Sequence, residues 1–275
     1  MSFDFGEANK EQKFAIETTE GPLLIIAGPG TGKTYSIHNF KPEEVKIISV
    51  QKPILPFRGK YDVVKADTGK KVIKELKNTD KKNIVIDDFQ YILGLPMMQR
   101  IGEKGWDKFN EIQQPYADVL AELNNLPDDT IVYINSHIAF DDDGRRKIKT
   151  IGKALDKYIT IEGLFMIVLG ALVQDNEYYF TTQNSGNDTC KSPEGMFPSL
   201  VVPNDLKYVE EKIRNYYYME GAKTDEEIAE EDKEKKILFD VNMKTYVGSL
   251  LESANFVYVT NLIPFKEFRK REYKC

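Results

Sequence analysis

Cysteine and histidine are scarce in this chain: Cys190, Cys275, His38 and His137 are all that 275 residues contain. Two cysteines are too few for a disulfide framework or a cysteine-built zinc site. Two histidines cannot furnish a histidine-rich metal centre. Long apolar runs are missing as well. The most apolar stretch, Leu164 to Val173, is ten residues and contains Gly170. A membrane-spanning helix needs roughly 20, so no membrane partner is expected. The opening MSFDFGEANK lacks a basic stretch followed by an apolar one, and no secretory signal is read there. Together these absences predict a reduced, cytoplasmic setting. An excess of positive charge is lacking too. The 38 basic and 44 acidic residues leave a net charge of −6, which excludes a protein that coats nucleic acid over its whole surface. A local basic strip remains compatible with it.

What is present is the composition of a globular chain with a core, 41% hydrophobic and 30% charged. The length suits one large domain, or one domain with a small appendage. Composition shifts at Gly221. The expected division is therefore a core over 1–220 and a charged linker with a C-terminal appendage over 221–275. Residues 224–235, TDEEIAEEDKEK, read as a solvated helix or linker.

Hydrophobic patterning places the elements. Residues 9–19 suit a short helix. Pro22 to Ala27 is an uninterrupted apolar run between Gly21 and a glycine-rich stretch, the pattern of a buried strand. A helix is expected over Tyr35 to Phe40, ending near Lys41-Pro42, and a second strand over Val45 to Val50. Residues 51–70 read as an irregular connection and Lys70 to Lys77 as a helix. Asn83 to Ile86 reads as a third strand that runs into Asp87-Asp88. Phe109, Ile112, Tyr116, Leu120 and Leu123 mark an amphipathic helix. Thr130 to Ile134 is a fourth strand, ending at Asn135-Ser136-His137. Leu164 to Val173 and Glu177 to Gln183 form a hairpin turning at Asp175-Asn176. Asn204 to Tyr218 is a helix with Asn204 as its N-cap. Strands alternating with helices predict an α/β fold, a mostly parallel sheet flanked by helices.

The strongest chemical signal is Ala27-Gly-Pro-Gly-Thr-Gly-Lys-Thr34. It matches the phosphate-loop pattern, with Ala27 in place of the first glycine. Glycines let consecutive backbone N–H groups curl around phosphates, and a following helix would turn its positive end toward the same anion. ATP is therefore the expected ligand, bound by Gly28, Pro29, Gly30, Thr31, Gly32, Lys33 and Thr34. Lys33 can reach the β- and γ-phosphates, and the Thr34 hydroxyl can bind Mg²⁺. The plain alternative is a glycine turn before a helix.

Asp87 and Asp88 end an apolar strand. In phosphate-loop enzymes such a strand lies beside the loop and its carboxylate holds the Mg²⁺ shell. Asp87 takes that role here, and Asp88 can orient or deprotonate a water. Two solvated turn carboxylates are the alternative. Ligands of open α/β sheets lie beyond the carboxyl ends of the strands. Ser136 and His137, as γ-phosphate sensors, and Gln51, as a water-positioning group, fall there, though ordinary loop residues would look the same. Arg145, Arg146, Lys147, Lys149, Lys153 and Lys157 share 13 residues with one acid, Asp156. That strip can contact a DNA backbone, supply a finger to a neighbouring subunit, or simply be solvated. Tyr178, Tyr179, Tyr216, Tyr217 and Tyr218 can stack bases, although their spacing also suits packing.

Two resemblances follow. Asn9-Lys-Glu-Gln12 through Ala15, then Glu20 through Thr34, resembles the opening of superfamily 1 helicases of the UvrD/Rep type. It implies that Gln12 reads adenine. Asp87-Asp-Phe-Gln90 echoes the helicase DEFQD box, with Asp88 where the catalytic glutamate stands. No second-motor-domain motifs are present, and 275 residues hold one such domain rather than two. From about Val45 to Tyr218 the strings IVIDDFQY, EKGWDKFNEI, GRRKIKTIGKALD, ITIEGLF, TQNSGNDTCKSPEGMF and NDLKYVEEKI resemble phage-encoded RecA-like ATP-binding proteins. Beyond Glu220 nothing is matched. This second resemblance implies a RecA-like P-loop NTPase acting in phage DNA recombination or replication, in the host cytoplasm. Lys33, Thr34, Asp87 and His137 fall on its nucleotide site, with Lys33, Asp88 and His137 as the catalytic set. Single-stranded DNA and further copies of the chain are the implied partners. A helicase-like single motor domain and a nucleotide-gated DNA-binding module with negligible hydrolysis are the alternatives.

Overall fold

The computed structural model describes residues 22–231 except 106, 152–159 and 175. The expected helix at 9–19, Gln12, Lys153, Lys157 and the appendage beyond 231 lie outside the described residues. Contacts divide the chain into two units, Met1–Ala222 and Lys223–Cys275. In the second unit, residues 225–231 are helical. Thr224 Oγ1 accepts from Glu227 N at 3.2 Å and Glu227 Oε2 accepts from Thr224 N at 2.8 Å, a reciprocal cap that starts this helix.

The first unit is built on a sheet of β1 (Leu23–Ala27), β2 (Val45–Ser49), β3 (Asp62–Lys65), β4 (Asn83–Asp87), β5 (Ile131–Phe140), β6 (Arg146–Ile148), β7 (Ile167–Gln174), β8 (Glu177–Thr181) and β9 (Val201–Pro203). Their order is β3-β2-β4-β5-β1-β7-β8-β9, with β6 paired to β5. From β3 to β7 every neighbour is parallel. β8 and β9 add an antiparallel edge, and β6 pairs antiparallel with the outer half of β5. The α/β class expected from the sequence, a mostly parallel sheet flanked by helices, is the fold observed.

β1, β2 and β4 are buried along their whole length because both faces of the sheet are covered. Leu24, Ile26, Ile48, Ile84, Ile86, Val132 and Ile134 meet residues of α1 (Gly69–Lys77), α2 (Tyr91–Gln99) and α3 (Asp107–Glu122). The alternate residues Leu23, Ile25, Ile47, Val85, Ile131, Tyr133 and Leu169 meet Leu206, Val209 and Ile213 of α4 (Leu206–Tyr216) on the other face. This period of two is what sorts one strand between two cores.

Several expectations need correction. The helix after the phosphate loop is only a 3₁₀ turn, Tyr35–Ile37. Seven residues separate Thr34 from Pro42, too few to repay the nucleation of an α-helix. The Tyr61 hydroxyl donates instead to the carbonyls of His38 and Phe40, at 3.1 and 2.9 Å. No helix macrodipole therefore backs the loop. Residues 51–70 are not wholly irregular, since β3 lies among them. α2 is an added helix whose sequence, YILGLPMMQ, is apolar all round and so carries no period. β5 runs on past Ile134 into a hairpin with β6. The N-cap of α4 is Asp205, whose Oδ1 accepts from Lys207 N at 2.8 Å, and not Asn204. The expected β7–β8 hairpin is present, with Gln174 opposite Glu177 and Asn176 at φ 64°.

At the amino ends of the strands, α4 is tied to the sheet through one buried carboxylate. Glu210 accepts from Asn83 Nδ2 at 2.8 Å, Arg214 Nε at 2.8 Å and Lys207 Nζ at 2.6 Å. Burial pushes the Glu210 carboxyl up, but these donors outweigh it and hold the carboxyl below its usual range. A depressed carboxyl contributes stability that is present above its unfolded pKa and lost as pH falls through the folded one. Glu210→Ala is expected to cost about 3 kcal/mol or more at neutral pH, since it strands a half-buried Arg214. Chemical denaturation across pH should show the parent losing stability on acidification more steeply than the variant.

Candidate nucleotide site

Gly30 and Gly32 have φ of 78° and 84°, a region closed to most side chains, and they let the loop after β1 fold over itself. Lys33 is 6% exposed. Its Nζ turns back under the loop and donates to the carbonyls of Ala27 and Gly28 at 3.1 and 2.8 Å. Thr31 Oγ1 donates to the same Gly28 carbonyl at 2.7 Å. Gly28 thus acts through its carbonyl. Pro29, Gly30, Thr31, Gly32, Lys33 and Thr34 line a cavity of about 420 Å³ with Tyr35, Pro56, Asp88, His137 and Tyr178.

β5 separates β1 from β4, and the carboxyl ends of these three strands meet at Asp87. Thr34 Oγ1 donates to Asp87 Oδ2 at 2.9 Å, and Asn135 Nδ2 donates to Oδ1 at 2.8 Å. Asn135 also reaches the Lys33 carbonyl at 3.3 Å. Burial pushes the Asp87 carboxyl up, against the pull of Asn135, Thr34 and Lys33, and the neighbouring Asp88 adds to the rise. Burial lowers the Lys33 pKa, while Asp87 and Asp88 oppose that. A carboxylate joined to a hydroxyl beside a lysine fits Mg²⁺, which takes one or two protein ligands and fills its shell with phosphate oxygens and water. Thr34 and Asp87 are the residues that would hold it. Among the described residues no cluster of three or more His, Cys, Asp or Glu forms a metal site. The buried Asn135 Oδ1 has no partner.

Asp88 turns the chain off β4 with φ 62°, which Asp tolerates better than most residues. Its Oδ1 lies 3.5 Å from His137 Nε2 and 3.5 Å from Gln90 Nε2. Gln90 Oε1 accepts from Ser136 Oγ at 3.3 Å and from His137 N at 3.2 Å. Gln90 therefore latches the Asp88 turn to β5. Burial lowers the His137 pKa and nearby Lys33 lowers it further, against the opposing pull of Asp88, and the balance favours the neutral ring. Asp88 and His137 both face the cavity, opposite the loop. Ser136 is fully buried and bonded to Gln90, so it does not reach the cavity. Gln51 is not among the lining residues.

Arg145, Arg146, Lys147 and Lys149 lie on and beside the β5–β6 hairpin and do not line the cavity, although Lys149 N donates to the carbonyl of His137 at 2.8 Å, and Phe140 is 65% exposed beside them. Of the tyrosines, Tyr178 lines the cavity, whereas Tyr216 packs edge-on against Tyr217 at the end of α4. Asn135 and Gln90 were not singled out by the sequence reading. An amide at a strand end that abuts an acidic strand end was the available signal, and it needs the strand order to be read.

Asp87→Asn keeps both hydrogen bonds possible while removing a desolvated charge. Without nucleotide or Mg²⁺ the variant is expected to be more stable, by about 1 kcal/mol or more. If Mg²⁺ with nucleotide raises the melting temperature of the parent, the same variant should lose that rise. A thermal melt series with and without both ligands checks the pair of outcomes.

Comparison with known proteins adds the following. Residues 8–41 match the UvrD/REP helicase N-terminal domain family. The chain is similar to a solved DnaB-like replicative helicase, described with its interactions with primase, at 14% identity and a TM-score of 0.39. That match covers 59% of this chain and 53% of the helicase, about half its length. It is similar also to a KaiC-like protein from the hyperthermophilic archaeon Pyrococcus horikoshii OT3, at 12% identity and a TM-score of 0.36, covering 66% of this chain and 89% of that one. No curated protein sequence matches. Among the described residues no helix is long and apolar enough to cross a membrane. A segment similar to the UvrD/REP helicase N-terminal domain thus spans β1 and the glycine-rich loop of a mostly parallel α/β sheet.

Proposed function

We propose that this chain binds ATP with Mg²⁺ and hydrolyses it, as a RecA-like ATPase working on DNA. The observation that carries the reading is the junction of Lys33, Thr34 and Asp87. The lysine is tucked under the phosphate loop, and the hydroxyl is bonded to the acidic strand end. In this reading the loop N–H groups cradle the phosphates, and Lys33 neutralises the β/γ charge. Mg²⁺, when bound, supplies charge neutralisation on the phosphate oxygens. Asp88 orients the attacking water and accepts its proton. Neutral His137 holds that water or the γ-phosphate by hydrogen bonding. Asn135 and Gln90 keep Asp87 and Asp88 in place.

The basic residues of the β5–β6 hairpin support single-stranded DNA as the partner. Arg145, Arg146 and Lys149 have no carboxylate partner among the described residues. Homo-oligomerisation, a role in phage recombination or replication, and the host cytoplasm belong to the same reading and rest on the sequence resemblance. A division into a core over 1–220 and an appendage beyond it is part of it too. The second reading is a nucleotide-gated DNA-binding module. It is favoured by Asp88, which stands where helicases place a longer glutamate.

Lys33→Ala is expected to abolish ATP binding in equilibrium titration, and retention of full binding would overturn the site. Phosphate release with and without single-stranded DNA then separates the two readings, since turnover in either condition favours the ATPase. In anisotropy titrations across salt, each phosphate contact contributes about −0.7 to the slope of log K against log salt. Arg145→Ala with Arg146→Ala should therefore flatten that slope by about 1.4. An unchanged slope would remove the hairpin from the DNA interface.

A further inference from the structure

The wall of the cavity beyond the phosphate loop carries groups that phosphate chemistry does not use. Tyr35 and Tyr178 both line it, and each is 41% exposed. Their ring centroids are 6.2 Å apart and the rings are tilted by 38°. Tyr35 follows Thr34 directly and is backed by His38, stacked at 4.3 Å, and by the edge of Phe57. Tyr178 lies against the loop itself: a Cβ at Gly32 would stand 2.7 Å from Tyr178 Cδ1 and 3.2 Å from Asn204 Oδ1.

Asn204 is the unexplained group. It is 7% exposed, and neither its Oδ1 nor its Nδ2 has a hydrogen-bond partner among the described residues. Buried amides are nearly always paired, so an orphan of this kind requires a reason. Helix capping is not the reason, because Asp205 caps α4. The Asn204 N–H donates to the Tyr178 carbonyl at 3.3 Å, which sets the amide and the tyrosine side by side next to Gly32.

We infer that this wall is a nucleobase subsite selective for adenine. The base stacks on Tyr35 and Tyr178. Asn204 lies behind the cavity lining, next to Gly32 and Tyr178, and a turn of the Tyr178 ring from Gly32 onto the base would open its amide to the base edge. The inference rests on the reading of the cavity as a nucleotide site. Every base has a face to stack, so the tyrosines supply affinity without choice. An amide offers one donor and one acceptor side by side, which matches N7 and N6–H of adenine. Guanine presents two acceptors, N7 and O6, along the same edge. Asn204 therefore supplies the choice. Gln12, given the adenine role by resemblance, is the competing reader.

The test is equilibrium binding of ATP, GTP and inorganic tripolyphosphate, each with Mg²⁺, to the full chain and to four variants. The parent should prefer ATP. Tyr178→Ala should weaken ATP and GTP alike by about 5- to 150-fold and leave tripolyphosphate unchanged, while Tyr178→Phe keeps the parent affinities. Asn204→Leu should bring the ATP/GTP ratio toward one with tripolyphosphate affinity unchanged. Its ligand-free melting temperature should be equal or higher, because the change removes a desolvated amide. Gln12→Ala should keep the ratio. The inference is overturned if the parent binds ATP and GTP equally, or if Asn204→Leu retains the preference. It also fails if Gln12→Ala abolishes the preference, or if Tyr178→Ala weakens tripolyphosphate as much as ATP. A parent that binds neither ATP nor tripolyphosphate would instead overturn the nucleotide site itself.

Discussion

A single desolvated carboxylate, Asp87, organises one end of this protein. It sits where three adjacent parallel strands finish, and each strand has something to contribute. β4 carries the carboxylate, β5 presents Asn135, and the loop after β1 presents Thr34. Two donors do not compensate the loss of water around a buried anion, and the raised pKa registers that imbalance. A cation would correct it. The cost of keeping Asp87 charged is borne by the packed strands behind it, whose residues on both faces are fully buried.

The opposite end of the sheet shows how the same kind of group behaves when it is fully partnered. Glu210 receives three donors, Asn83, Lys207 and Arg214, and its carboxyl is held low. One end of the sheet is thus satisfied by the protein alone, and the other is left short of partners. Asp87, the orphan oxygen of Asn135 and the orphan amide of Asn204 all lie at the second end. This polarity of satisfaction along the strands, more than the size of the cavity, marks where a ligand belongs.

What could be read in advance followed from local pattern. The run Leu23 to Ala27 could only be a buried strand, and the glycines with Lys33 and Thr34 specify a loop by their own chemistry. Ile84 to Asp87 was legible for the same reason. The 3₁₀ turn at Tyr35–Ile37 was not, because the carbonyls of His38 and Phe40 just beyond it accept from the Tyr61 hydroxyl, which lies 21 residues beyond Phe40. α2 escaped because a helix apolar on every side has no period. Asn135 escaped because its partner is 48 positions away and becomes a neighbour only through the strand order. Asn204 looked like a cap because it precedes a helix, and only the hydrogen bond to Lys207 gives that duty to Asp205.

The left-handed backbone at Asp88 constrains which residues that position can hold. A residue with φ of 62° is held there by the turn from β4 into α2, and the Gln90 latch adds a contact to the Asp88 carboxylate. Aspartate, asparagine and glycine accept that conformation, and longer side chains accept it less readily. The backbone therefore acts as a filter on which residues can occupy the position. Exchange of a short carboxylate for a long one therefore carries a backbone cost of up to about 1 kcal/mol here. The turn off β4 thus favours the short carboxylate that this chain carries there.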